Sequence, residues 1–274
     1  MDRKGSRSRG ATTPKTVEAV RFPLPPGELL SKGLLELGLP AREGEFSPVA
    51  VSSPHRLVPL IDRYLDELEL FNAAFDLVAA DTGSEAGRAD LVVRHVLDSL
   101  APWKDVAREL ARRAALGMES VPSLELADAG SGAGFPGIPL ALLFPSVRVT
   151  LIERMSKRCA FLENCVALLG LSNVSVLNAE VERAPRGAFD VVVFRAFRPL
   201  ERPMLGTLLS LARDGTAERE AGCLAAWKAR RERIEEEMIA VSDCVGRWEA
   251  RPVTVPFLGH EERNLVVIEK KPIP

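Results

Sequence analysis

The stretch Leu124-Glu125-Leu126-Ala127-Asp128-Ala129-Gly130-Ser131-Gly132-Ala133-Gly134-Phe135-Pro136-Gly137 runs from an apolar segment into closely spaced glycines. Glycine lets a backbone turn tightly and lie flat against a small molecule. Two spacings coincide here. Gly132, Gly134 and Gly137 read as G-x-G-x-x-G, the fingerprint of a dinucleotide site, while Gly130, Gly132 and Gly134 read as the tighter G-x-G-x-G of S-adenosylmethionine sites. With either ligand, Glu153, at the end of the next strand-like run (147–152), is placed to accept hydrogen bonds from ribose hydroxyls. Pro136 and Pro139 separate the two readings. They stand at the opening of the following helix, where a pyrophosphate seeks free N–H donors and proline has none. A phosphate-free ligand is therefore expected over Gly130, Gly132 and Gly134, with Phe135 beside it. Asp128 is expected either to brace the loop or to bind an amino group of the ligand. Val181 and Glu182, in the loop after the third strand, are expected to line the adenine side.

The elements that must position these residues alternate in type. Helical spacing of apolar residues covers 55–80 and 91–115 ahead of the glycine turn and predicts a helical cap. Beyond the turn, 155–169 predicts an amphipathic helix with Phe161, Leu162, Val166 and Leu169 on one side and Gly170 at its C-terminal cap. Strands are predicted at 174–177, 189–194 and 223–227, with helical segments between them. Residues 251–257 and 264–269 are joined by too few residues for a helical crossover and are expected to pair as a hairpin. The expected fold is thus α/β and Rossmann-like, a mostly parallel seven-stranded sheet closed by an antiparallel hairpin, which is the methyltransferase arrangement rather than the dehydrogenase one. The expected organisation is a weakly structured extension over 1–53, the cap over 54–120 and the sheet domain over 121–274.

A chain of 274 residues, 46% hydrophobic, can bury one large core. It holds no apolar run long enough for a membrane span and no apolar stretch near its start to act as a secretion signal, so a cytoplasmic location without membrane contact is expected. The four cysteines form no C-x-x-C pair, and the three histidines are scattered. Reduced thiols and the absence of a metal site are the expectation. The formal charge of −2 excludes a wholly basic nucleic-acid coat. Basic residues do cluster at Arg3, Lys4, Arg7, Arg9 and Lys15, as a solvated tail or an RNA contact.

Five segments taken together resemble the bacterial RsmG (GidB) family of small-subunit ribosomal RNA guanine-N7 methyltransferases. They are Arg94-His95-Val96-Leu97-Asp98-Ser99-Leu100, the glycine turn through Leu140, Lys157-Arg158-Cys159-Ala160-Phe161-Leu162, Phe189-Asp190 with Arg195-Ala196-Phe197, and Arg263-Asn264-Leu265-Val266-Val267-Ile268. The likeness spans 72–270. Two positions depart from the family pattern: Glu180 stands where an arginine is common, and Ala229 follows Lys228 where a glycine is common.

The resemblance implies S-adenosylmethionine as methyl donor and the rRNA of the small subunit, or its assembly intermediates, as partner; a monomer is expected. It also implies that Arg195 contacts the donor or the target base, the alternative being a surface ion pair. Lys228 and Arg263, beside predicted strand ends, are expected to hold RNA phosphate or guide the base, or else to be merely solvated. His95, within one of these segments, is expected to pack its helix, a catalytic role being the alternative. Guanine N7 carries a lone pair and no proton, so no general base is expected and positioning supplies the rate. The Asn/Asp-Pro-Pro-aromatic motif of amine methylation and the Pro-Cys pair of cytosine C5 methylation are both missing. Arg198, Arg202 and the run Arg230-Arg231-Glu232-Arg233 offer an RNA-facing rim or an ordinary solvated helix face. A nicotinamide-dependent oxidoreductase and a non-catalytic RNA-binding relative are the competing readings.

Overall fold

The computed structural model describes residues 22–42, 44–46, 49–114, 124–195, 200–217, 219–259 and 261–271. The basic cluster at 3–15, Ala196, Phe197, Arg198 and His260 lie outside them. The chain opens with α1 (Pro26–Glu36), a ribbon of β1 (Gly44–Phe46) and β2 (Val49–Val51), and α2 (Pro54–Phe75). Next, α3 (Glu85–Asp90) passes without a break through a π-helical segment, Leu91–Leu97, into α4 (Asp98–Leu100), and α5 (Trp103–Arg113) follows. The alternating part comprises β3 (Glu125–Ala129), α6 (Gly137–Leu143), β4 (Arg148–Glu153), α7 (Ser156–Leu169), β5 (Val174–Asn178), β6 (Val191–Arg195), α8 (Arg202–Leu211), β7 (Cys223–Lys228), α9 (Arg231–Ala240), β8 (Trp248–Pro252) and β9 (Asn264–Glu269).

Seven strands form one sheet in the order β5-β4-β3-β6-β7-β9-β8. The first five are parallel, and β9 runs antiparallel to both β7 and β8, as expected. The inner strands are buried on both faces, which is why they read as unbroken apolar runs such as Val191-Val192-Val193-Phe194. Alternate residues feed two cores. Leu126, Val191, Val193 and Ala225 join the helices at the start of the chain, and Ala127, Val192, Phe194 and Leu224 join α8 and α9.

Three sequence expectations are corrected. Within the supposed weak extension, residues 26–36 form α1, whose Leu29, Leu30 and Leu34 are completely buried. The glycine that made this stretch look broken has a packing reason: a Cβ at Gly33 would stand 2.3 Å from Leu97 Cδ1, so its absence lets α1 lie against the π segment. The helix expected over 55–80 stops at Phe75, because Asp76 turns left-handed and the Asn72 side chain accepts the N–H groups of Leu77 and Val78 at 2.9 Å each. The hairpin strand expected at 251–257 lies at Trp248–Pro252 instead. As the sheet's edge strand it carries Glu249, Arg251 and Pro252, while Val255, which belongs to the run expected as a strand, is buried from the connecting loop together with Leu258.

Candidate functional site

Parallel sheets of this kind bind ligands at the carboxyl ends of their strands, and the residues singled out in the sequence gather there. The turn after β3 is held by the neighbouring strand, with the N–H groups of Gly130 and Ser131 both donating to Ile152 O at 2.9 and 3.0 Å. Gly132 has φ +58°, and a Cβ built on it would meet no atom nearer than 3.9 Å. The glycine is therefore required by backbone conformation, and the room above it is open. Glu153 closes the turn from the end of β4, its Oε2 accepting Gly132 N–H at 3.0 Å and its Oε1 accepting Met155 N–H at 2.8 Å. A carboxylate has about four acceptor sites, so these two bonds orient the group and leave acceptors for a ligand.

A cavity of about 290 Å³ opens beside this turn. Gly130, Glu153, Val181 and Glu182 line it, which brings those four predicted residues together. Val181 is buried, at the start of a short 3₁₀ turn, and supplies an apolar wall. Met155 and Arg158 also line the cavity and were not expected as site residues, and so does Glu180, one of the two departures from the family pattern. Arg158 reaches over the turn, with Nη1 4.0 Å from the position a Gly132 Cβ would take, and its buried Nε has no hydrogen-bond partner among the described residues.

Asp128 and Phe135 lie behind the turn rather than in this cavity, both buried. The loop-bracing alternative for Asp128 is seen directly, since its Oδ2 accepts Gly137 N–H at 3.0 Å. Its Oδ1 has no partner among the described residues, and burial raises its pKa to about 7. Phe135 is ringed by Tyr64, His95 and Arg195, at 5.3, 5.1 and 5.2 Å from its centre. Tyr64, the chain's one tyrosine, also donates its hydroxyl to Ala133 O, tying α2 to the glycine turn.

A second cleft, about 440 Å³, lies beyond Phe135 and is lined by Arg195, Lys228 and Arg263, the three residues expected to meet substrate. Asp98 organises it: Arg195 Nη1 donates to Oδ2 at 3.0 Å and Arg263 Nε to Oδ1 at 3.1 Å. Arg195 Nη1 also donates to Arg94 O at 2.9 Å, and Nη2 lies 3.0 Å from His95 Nδ1. Lys228 pairs with Glu237 at 2.7 Å. His95 is more than the packing residue expected from sequence, because its ring lines the cleft and touches Arg195. Burial, with Arg195 and Arg94 alongside, pulls the imidazole down to about 3, so it is neutral at physiological pH. His95 and Asp98 fell within a noted motif, but their partners lie on strands far along the chain. Of the proposed rim, Arg202 pairs with Asp243 and Arg231 with Glu235, a solvated-face pattern.

The arrangement suits a phosphate-free nucleoside ligand. The first amides of α6 are already taken, Gly137 N–H by Asp128 and Ile138 N–H by Gly134 O at 2.8 Å, and Pro139 has none. A pyrophosphate would find no free donors there.

The model of the family described as rRNA small subunit methyltransferase G, GidB, matches residues 58–266. Ribosomal RNA small subunit methyltransferase G of Treponema denticola is 38% identical over 266 residues, 89% of this chain and 98% of that one. The protein of the same description from Treponema pallidum is 37% identical over 218 residues, covering 77% of this chain and 85% of its own. That from Polynucleobacter asymbioticus is 31% identical over 253 residues, covering 89% and 100%.

Proposed function

The chain belongs to the rRNA small subunit methyltransferase G family, and on that premise we propose that it methylates N7 of a guanine in small-subunit ribosomal RNA, using S-adenosylmethionine. The observation that carries the reading is the presence of two pockets at the carboxyl ends of the parallel strands: a cavity lined by the glycine turn and Glu153, and an arginine-lined cleft around Asp98. When bound, S-adenosylmethionine supplies a methyl group on a sulfonium, open to in-line displacement by a lone pair.

The chain's residues bind and orient. Glu153 takes the ribose hydroxyls, and Val181 and Glu182 flank the adenine. Gly130, Gly132 and Gly134 keep the turn flat beneath the ligand, while Asp128 braces that turn through Gly137 and Phe135 walls it from behind. Arg195, Lys228 and Arg263 meet the base and its RNA backbone; guanidinium donors suit O6 and phosphate oxygens alike. No residue has a proton to remove, because N7 has none. The work is positioning, which for well-oriented reactants can supply on the order of 7 to 11 kcal/mol of the barrier. On this reading the protein acts as a monomer in the cytoplasm.

The test is methyl transfer from radiolabelled donor to small ribosomal subunits lacking the modification, followed by nucleoside mass spectrometry. N7-methylguanosine is the expected product. Label in another nucleoside would overturn the assignment of the base, and no label at all would overturn the activity.

A further inference from the structure

We propose that His95 reads the six-position of the target base, donating a hydrogen bond from Nε2 to guanine O6 and so setting the choice of guanine over adenine. The inference rests on the function proposed above, in which the second cleft receives the base. Its foundation is a tautomer fixed by geometry. Arginine carries only donors, so the 3.0 Å contact between Arg195 Nη2 and His95 Nδ1 makes Nδ1 the acceptor. The proton of the neutral ring then sits on Nε2. Arg195 has little freedom to release this arrangement, because its Nη1 is held by Asp98 and by the Arg94 carbonyl. Asp98 is in turn held by Arg263, and Phe135 packs on the imidazole from 5.1 Å. Nε2 is hydrogen-bonded to none of the described residues, and the ring faces the 440 Å³ cleft. The π turn that carries His95, Leu91–Leu97, is a rare form of helix that recurs at functional sites.

The base chemistry matches. On its Hoogsteen edge guanine offers acceptors at N7 and O6, whereas adenine offers an acceptor at N7 and a donor amino group at C6. A fixed N–H donor pairs with O6 and opposes the amino group, leaving N7 free to react. A neutral donor is also the right kind. As the N7 lone pair attacks, the sulfur–methyl bond breaks and a nitrogen–methyl bond forms. The positive charge passes from sulfur to the purine ring, and no proton leaves. An imidazolium would repel that charge. The arginines on either side, with burial, keep His95 from becoming one.

Two substitutions separate this role from a structural one. His95→Asn keeps an acceptor where Nδ1 stood and loses the distal donor; His95→Gln keeps an amide donor near Nε2. With unmodified small subunits, H95Q is expected within about fivefold of the unsubstituted kcat/KM and H95N is expected to lose about tenfold to a hundredfold. Both should bind S-adenosylmethionine normally in calorimetry. Equal losses, or H95N outperforming H95Q, would overturn the proposal. Nitrogen NMR of histidine-labelled, unsubstituted protein gives an answer even if a variant fails to fold. The expected ring is neutral, protonated at Nε2, with that signal moving when small-subunit RNA is added. An Nδ1–H tautomer, an imidazolium at pH 7 or an Nε2 signal indifferent to RNA would each sink it. Failure of the unsubstituted protein to methylate any subunit would instead remove the function underneath, and this assignment with it.

Discussion

Asp128 places a carboxyl group where water does not follow, and its titration should be visible in the stability of the whole protein. Burial raises its pKa from 3.8 to about 7, opposed by the hydrogen bond from Gly137 and by Ser131. Between those values the folded state holds a proton that the unfolded state has released, so the contribution to stability is full below about pH 4 and is lost as the pH rises through about 7. Asp128→Asn mimics the protonated acid and still accepts from Gly137. Urea unfolding at pH 4 and pH 8 should show the variant close to the unsubstituted protein at pH 4 and more stable at pH 8, by on the order of 1–3 kcal/mol. A difference that does not change with pH would mean that this carboxyl is not the titrating group. At this scale the sequence was informative where function lies at a strand end: Gly130, Glu153 and Val181 each follow a run of strand-forming residues, and they meet in one cavity. It was uninformative where function depends on distant partners. Asp98 and Arg195 stand 97 residues apart, and nothing in a lone aspartate on a helix signals two arginines.

Two glycines in helices show how an element's surroundings decide what a side chain does. Gly137 opens α6, and a Cβ there would stand 2.4 Å from Leu151 Cδ2 and 2.6 Å from Asp128 Oδ2. Gly137→Ala must push α6 off β4 and disturb the brace beneath the glycine turn, costing about 1–3 kcal/mol. Gly206 lies within α8, where a Cβ would meet nothing within 4 Å. Gly206→Ala should therefore stabilise the protein by up to about 1 kcal/mol through helix propensity alone. Denaturant midpoints of the two variants should move in opposite directions, and a shared direction would mean that the packing around α6 or α8 differs from that described. The same dependence on surroundings explains which elements could be read in advance. The central strands are buried on both faces and announce themselves as apolar runs. The edge strand β8 has one neighbour and is polar, so it has no local signature, and the helical leucine pattern of α1 is punctuated by Pro25, Pro26 and Gly33, so it reads as a short, weak element. Their places are set by contacts with β9 and with the π segment.

At the scale of the molecule, the sheet separates two cores and presents one functional edge. The glycine turn, Glu153, Arg195 and Lys228 all follow carboxyl ends of parallel strands, so ligand binding there draws on β3, β4, β6 and β7 together. A ligand that spans these strands and binds only the folded state must stabilise the whole protein, by about 2.7 kcal/mol at a hundredfold excess over its Kd. For a chain of this size that is roughly 5–10 °C in Tm. S-adenosylmethionine should produce such a shift. A nicotinamide dinucleotide, which fits the literal G-x-G-x-x-G spacing, should not, because the amides that would hold its pyrophosphate are committed to Asp128 and Gly134. Thermal unfolding with each compound over a concentration series decides between them. A shift with the dinucleotide and none with the methyl donor would require the turn to open, Asp128 to release Gly137 and the nucleoside cavity to serve a different chemistry.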